Sequence, residues 1–296
     1  MGLPRRARAK LGQNFLRDQK ILKKIADFAQ IEKTDTVVEV GPGEGTLTAF
    51  LLERAKKVIA VEKDEKLAEL LKQKFKIQIS NSELKFIHGD VLEIENLLEI
   101  AKLKIENYIL VGNIPYYITG AIFKKFLQSD NPPESITFVV QKEVAERIVA
   151  RDGKESILSI SIKAYGKPEF GGIIKAGSFY PKPKVNSAVI AIRDISKSRF
   201  LRSDLKKCPE GQTLGISEKK FFEILKAGFA HKRKLLIKNL EKMSKGIKGH
   251  PLGQNSSRVP LGKTPFDTFK KCGISEKARA ENLKVEDWIC LTRELM

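Results

Sequence analysis

The sequence predicts an α/β fold: a parallel sheet covered by helices on both faces, followed by a small helical domain. Three observations predict it. Short apolar runs alternate with segments of helical periodicity from residue 36 to about residue 195. The runs are nearly continuous rather than alternating, as strands buried on both faces require. Beyond about residue 196 the alternation stops and only helical patterns remain. At 296 residues with 42% hydrophobic side chains, the chain exceeds the usual size of one domain and can bury a core, which excludes wholesale disorder.

In chain order, Val37, Val38 and Val40 form a first strand ending at Gly41, and Leu47, Phe50, Leu51 and Leu52 begin a helix. Lys57 to Val61 is a second strand stopping at Glu62, followed by a helix through Leu67, Leu70 and Leu71. Leu84 to His88 is a third strand ending at Gly89-Asp90, and Tyr108 to Val111 a fourth ending at Gly112-Asn113. Ile136 to Val140 is a fifth, with a helix through Val144 and Ile148. Val185 to Ile192 reads as an antiparallel edge strand. Further on, Ser217 is placed to cap a helix over Ser217–Ala230, and two more helices fit Lys232–Met243 and Val285–Leu295. Residues 244–273, rich in Gly, Ser, Lys and Pro, read as loop.

The formal charge of +19 is segregated. Residues 1–24 carry +7, residues 25–195 are neutral, residues 196–249 carry +10 and the remainder +2. A neutral body with two basic flanks reads as a catalytic domain held to a polyanion by its edges, in preference to a merely solvated lysine-rich surface. No apolar run is long enough to span a membrane, and the basic stretches lack a wide aromatic-bearing apolar face, so no membrane partner is expected. The basic N-terminus lacks the apolar stretch of a secretory signal. Cys208, Cys272 and Cys290 are odd in number without Cys-x-x-Cys spacing. They read as ordinary thiols in a reducing, cytoplasmic protein, with no metal site expected.

The most informative motifs lie at the carboxyl ends of strands, where open α/β sheets bind ligands. Glu39-Val-Gly-Pro-Gly-Glu-Gly45 follows the first strand and opens a helix. Glycines at 41, 43 and 45 let backbone approach a ligand closely. Glu62 ends the next strand, placed to accept hydrogen bonds from both hydroxyls of a ribose, and Asp90 ends the third, placed for an adenine amino group. A dinucleotide fingerprint wants Gly or Ala where this chain has Thr46. The G-x-G-x-G spacing is the form associated with S-adenosylmethionine. Together these features describe a Rossmann-like, class I S-adenosylmethionine-dependent methyltransferase sheet.

The fourth strand ends in Asn113-Ile-Pro-Tyr116. An exocyclic amino nitrogen on adenine is a poor nucleophile because its lone pair is delocalised into the ring. The Asn113 side-chain oxygen and the Ile114 carbonyl are two acceptors suited to hold its hydrogens and favour a tetrahedral nitrogen aimed at a methyl. Pro115 stiffens the turn, and Tyr116 supplies a ring for the base to stack on. On this reading the ring face of Tyr116 matters and its hydroxyl does not. His88 reads as a core or edge residue and His231 as facing RNA or solvent. Phe15 reads as an anchor of the N-terminal arm.

These blocks, together with Leu11-Gly-Gln-Asn-Phe-Leu16, Val61-Glu-Lys-Asp64, Gly89-Asp-Val-Leu92, Gln141 to Ile148, Phe179-Tyr-Pro-Lys-Pro-Lys-Val185 and Ala278 to Leu283, resemble the ribosomal RNA adenine dimethyltransferase family, small-subunit type, nearly end to end. The resemblance implies N6,N6-dimethylation of two adjacent adenosines near the 3′ end of small-subunit (16S) rRNA, with S-adenosylmethionine as donor. It implies that Asn14, Leu16, Gly41, Gly43, Glu62, Asp90 and Asn113 line the donor site. Asn113, Ile114, Pro115 and Tyr116 would hold the base, Phe179 would stack on its other face, and Lys182 and Lys184 would meet phosphates. The expected organisation is a basic arm over 1–24, a catalytic domain over 25–200 and a small helical RNA-binding domain over 201–296, acting as a monomer on an assembling small subunit. A large-subunit methylase of the macrolide-resistance type and a non-catalytic ribosome assembly factor are the alternatives. Three departures stand out: Tyr117 where relatives have Asn, Glu155-Ser156 in place of Tyr-Gly, and a long 244–273 segment.

Overall fold

The computed structural model describes residues 14–93, 105, 107–200, 216–231, 233–244 and 265–295. The chain divides into two compact units, Met1–Glu146 with Gly166–Ile195 and Arg147–Tyr165 with Ser196–Met296.

The first unit opens with β1 (Phe15–Leu16) and α1 (Gln19–Phe28), whose N-terminus is capped by Asp18 accepting from the Lys20 and Ile21 amides. Then follow β2 (Thr36–Val40), α2 (Thr46–Leu52), β3 (Lys57–Glu62), α3 (Glu65–Lys74), α4 (Lys76–Ser80) and β4 (Leu84–His88). Next come β5 (Ile109–Asn113), α5 (Thr119–Gln128), β6 (Ser135–Gln141) and α6 (Lys142–Val149), the last of which runs across the division between units. The unit resumes with β7 (Lys167–Ile174), β8 (Phe179–Tyr180) and β9 (Ser187–Arg193).

A seven-stranded sheet has the order β4-β3-β2-β5-β6-β9-β7. The first five strands are parallel, as the continuous apolar runs predict, and both β6–β9 and β9–β7 pairs are antiparallel. Val37, Val58, Val111 and Val139 share one face with Leu22 and Ile25 of α1 and Leu47 and Leu51 of α2. Phe138 turns to the opposite face and meets Phe123 of α5 edge-on at 5.4 Å. Both faces are thus covered, which is what forces the strands to be apolar throughout.

One expectation needs correction. The strand read as an edge is antiparallel but interior, flanked by β6 and β7. The edge on this side of the sheet is β7, which the pattern of apolar residues hides: Pro168, Gly171 and Gly172 interrupt it, and its register shifts between Phe170 and Gly172. Proline and a bulge are devices that blunt exposed sheet edges, so the features that disguise this strand belong to its position.

The second unit contains α7 (Ile157–Lys163), α8 (Glu218–Gly228), α9 (Leu236–Ser244), α10 (Pro265–Lys271) and α11 (Val285–Leu295). The Glu155-Ser156 departure has a local function. Ser156 caps α7 in a reciprocal box with Ser159, and Glu155 pairs with Lys163 at 2.5 Å. Ser217 caps α8 as expected. Fully buried Trp288, Phe221, Phe269 and Leu236 form the core, with Phe229 stacked on Trp288 at 5.5 Å. Of the segment read as loop, Pro265–Lys271 is helical and residues 245–264 lie outside the described residues, as do Cys208 and residues 1–13. Among the described residues no helix is long and apolar enough to cross a membrane.

The reading of all three cysteines as ordinary thiols fails for two of them. Cys272 and Cys290 are joined by a disulfide, with Cα atoms 5.8 Å apart. Spacing along the chain carries no trace of it, because the packing of α10 against α11 brings the two residues together. With it goes the cysteine argument for a reducing compartment. The bridge closes a loop with a sequence separation of 18, for which chain entropy gives about 3 kcal/mol. Cys290→Ser is expected to lower unfolding free energy by about that amount in denaturant titrations, and by nothing further once the wild type is reduced.

Candidate active site

Strand β2 lies between β3 and β5, and all three are parallel. The chain leaves β2 toward β3 on one side and later returns as β5 on the other, so helices depart in opposite directions and a crevice opens beyond the strand ends. An open cleft occupies this position beyond the strand ends. It is lined by Asn14, Leu16, Gly41, Gly43, Glu62, Asp90, Asn113, Ile114, Pro115 and Tyr116, and also by Phe15, Glu39, Lys63 and Tyr117. Phe179, Lys182 and Lys184 are not among its lining residues. Phe179 is buried in the core of the unit, where it pairs in register with Leu16, and both lysines are exposed.

On the donor side, Glu62 is buried, and its two carboxylate oxygens accept the Gly43 amide at 3.0 Å and the Asp64 amide at 2.9 Å. Each oxygen keeps a lone-pair direction for a further donor, which is what recognition of a vicinal diol needs. Burial holds the Glu62 carboxyl above its ordinary range, opposed by those backbone hydrogen bonds. Asp90 accepts the Leu92 amide at 2.9 Å and pairs with Lys63 at 2.6 Å. The glycine turn divides its labour. Gly41 is open toward the cleft, with nothing nearer a would-be Cβ than the Asn113 carbonyl oxygen at 4.0 Å. Gly43, at φ +58°, would put a Cβ 2.8 Å from the Phe15 ring, so its lack of a side chain makes room for the arm.

That arm is part of the site. Leu16 accepts from the Thr46 hydroxyl at 2.9 Å, Arg17 grips Glu44 through two bonds of 2.7 and 3.0 Å, and Phe15 pairs in register with Tyr180. Thr46, which argued against a dinucleotide site, therefore has a positive role in fastening the arm. The Asn113 side-chain nitrogen donates to the Asn14 carbonyl at 2.9 Å. With the nitrogen so committed, the amide presents its oxygen as the atom able to meet a substrate amino group. Tyr116 follows on a short 3₁₀ turn, half-buried, with its hydroxyl 2.7 Å from that of Ser187. Tyr117 is 69% exposed at the cleft, so the second ring does not pack into the core. His88 is exposed on the edge strand β4.

Glu39 is a cleft-lining carboxyl that strand patterning conceals. It sits inside β2 with 1% exposure, lines the cleft, and its Oε2 has no hydrogen-bond partner. Burial pushes its carboxyl up to about 8, and the Glu62 charge acts in the same direction. The folded chain keeps this proton to about pH 8, whereas an unfolded glutamate releases it near 4.5. The stability this proton contributes is complete below the ordinary carboxylate value and is lost as pH rises to about 8, at up to about 1.4 kcal/mol per pH unit. Glu39→Gln is expected to flatten that decline in unfolding experiments from pH 4.5 to 8.5. An unchanged slope would mean that Glu39 is ionised in the fold.

Comparison with known proteins supplies the family. A family profile described as Ribosomal RNA adenine dimethylase matches residues 5–295. A protein of Dehalococcoides mccartyi named Ribosomal RNA small subunit methyltransferase A is 38% identical, covering 98% of this chain and 89% of the relative. One of the same name from Fusobacterium nucleatum is 34% identical, covering 96% of each. Among solved structures, a dimethyladenosine transferase from Plasmodium falciparum superposes with a TM-score of 0.71 at 25% identity, over 95% of this chain and 96% of that one. The 23S rRNA methyltransferase ErmE gives 0.66 at 26% identity, over 95% and 99%. The class I methyltransferase sheet, the cleft at its switch point and a match over nearly the whole sequence agree: the chain belongs to the ribosomal RNA adenine dimethylase family, the S-adenosylmethionine-dependent rRNA adenine dimethyltransferases.

Proposed function

We propose that this chain dimethylates N6 of two adjacent adenosines near the 3′ end of small-subunit (16S) rRNA while the subunit assembles in the cytoplasm. The observation that carries the reading is the Asn113 amide, whose nitrogen is tied to the Asn14 carbonyl in a cleft shared with Glu62 and Asp90. The residues present fit S-adenosylmethionine: Glu62 for the ribose, Asp90 for the adenine amino group, and Asn14, Leu16, Gly41 and Gly43 along its length. Bound there, it supplies an electrophilic sulfonium methyl.

The chain's own work is positioning and hydrogen bonding. The Asn113 oxygen and the Ile114 carbonyl hold the two amino hydrogens and turn the nitrogen lone pair toward the methyl. Pro115 keeps both acceptors in one rigid turn. Tyr116 stacks on one face of an unpaired or flipped adenine, and Phe179 is assigned to the other. No side chain has to take a proton before attack, because the ammonium product is acidic enough to lose it to water. Lys182 and Lys184, exposed beyond the cis Tyr180-Pro181 bond, are assigned to phosphates. The basic second unit would hold the RNA as a monomer's second grip.

Similarity to a 23S enzyme keeps one rival reading in view. The deciding experiment is methylation of unmethylated small subunits with labelled S-adenosylmethionine, mapping the products by mass. Dimethyladenosine at two adjacent 3′ positions supports the proposal. Label confined to large-subunit RNA would overturn it.

A further inference from the structure

We propose that Ser187 is a positioning residue for Tyr116, setting the plane of the ring on which the target base stacks. The inference rests on the function proposed above. Ser187 begins β9 and is fully buried. Its backbone is fixed from two sides, opposite Gln141 of β6 and opposite Ile174 of β7. Its hydroxyl lies 2.7 Å from the Tyr116 hydroxyl, 71 residues away in sequence.

Tyr116 needs such a partner. It stands on a 3₁₀ turn with no side-chain cap, and its side chain is only half-buried. Rotation about two side-chain torsions would otherwise leave the ring plane loosely defined. A hydrogen bond at the far end of the ring, to a donor and acceptor that cannot move, removes that freedom at its longest lever arm. Burial raises the Tyr116 phenol above its ordinary value, consistent with a hydroxyl that stays protonated in this bond.

The neighbouring residue extends the effect. Asn186 accepts the Ala176 amide through its side chain at 2.9 Å and the Lys142 amide through its carbonyl at 3.0 Å. The start of β9 therefore anchors both the ring of Tyr116 and one end of the segment that carries Phe179, Lys182 and Lys184. A strand end that contributes no cleft-lining atom thus aligns the two sides proposed to enclose the base. The expectation that only the ring face of Tyr116 matters is amended accordingly: the hydroxyl does no chemistry, yet it aims the ring.

The test is a double-mutant cycle of Ser187→Ala and Tyr116→Phe on unmethylated small subunits, reading kcat, donor KM and the ratio of monomethyl to dimethyl adenosine. Each single variant is expected to lose about tenfold in kcat and to accumulate monomethyl product, with donor KM within about twofold. The double variant should match either single one, because both remove the same bond. A purely structural role for Ser187 would move the melting temperature without moving the product ratio. Wild-type kcat and product ratio in Tyr116→Phe, which leaves the buried strand untouched, would overturn the proposal even if Ser187→Ala folded poorly. Multiplicative losses in the double variant would also overturn it. The wild-type product map run in parallel tests the acceptor separately: methylation confined to large-subunit RNA would sink that assignment, and the cycle would then be scored on that RNA.

Discussion

Asn113→Ala is expected to lower methyl transfer by at least 10²–10³-fold while donor affinity changes only a fewfold. The magnitude is that of removing one preorganised hydrogen-bonding group aimed at a reacting centre. Two losses combine. The acceptor for one amino hydrogen disappears, and so does the 2.9 Å bond by which Asn113 ties the Asn14 carbonyl across the cleft. The second loss reaches the donor side, since Asn14 lines the same cleft, which is why a fewfold weakening of donor binding is part of the expectation. Single-turnover transfer and calorimetric donor binding separate the two. Asn113→Asp is the sharper control. It keeps an acceptor oxygen but replaces the N–H donor with a group that repels the Asn14 carbonyl, so transfer should fall nearly as far. Transfer at the wild-type rate in either variant would remove Asn113 from the chemistry.

Most of the cleft lining was legible because these residues sit at strand ends. Glu62, Asp90 and Asn113 each close a run of apolar residues, and a polar residue in that position on an α/β sheet has a predictable direction to face. What stayed hidden depends on contacts between distant segments. Asn113 to Asn14 spans 99 residues and Tyr116 to Ser187 spans 71; neither has any signature in local spacing. The Cys272–Cys290 bridge is hidden for the same reason. Glu39 was read as part of the glycine motif, but a burial deep enough to keep it protonated follows only from the helices packed over the sheet face it shares with Val37. Phe179 illustrates the opposite case. Its motif is recognisable, yet where its ring lies, buried in the core and paired in register with Leu16, depends on β8 pairing with the distant β1.

Glu62→Ala should separate donor binding from acceptor chemistry in the direction opposite to Asn113→Ala. The carboxylate holds the Gly43 and Asp64 amides, and truncation leaves both without this partner. A buried amide that loses its acceptor costs about 1–3 kcal/mol, so a loss of roughly 2–6 kcal/mol in unfolding free energy is expected from the two together. Donor affinity should fall further, by about 100-fold or more, since two charge-assisted bonds to a ribose are worth about 3 kcal/mol in total. Glu62→Gln sharpens the inference. Its amide nitrogen must face one of the two backbone N–H groups, donor against donor, so a conservative change in shape should still weaken donor binding well beyond what it costs in stability. At saturating donor, however, neither variant touches the Asn113 and Ile114 acceptors, and single-turnover transfer should recover to within about tenfold of wild type. Failure to recover would mean that the glycine turn fastened by Glu62 also aligns the reacting methyl. Undiminished donor affinity in Glu62→Ala would place ribose recognition elsewhere in the cleft.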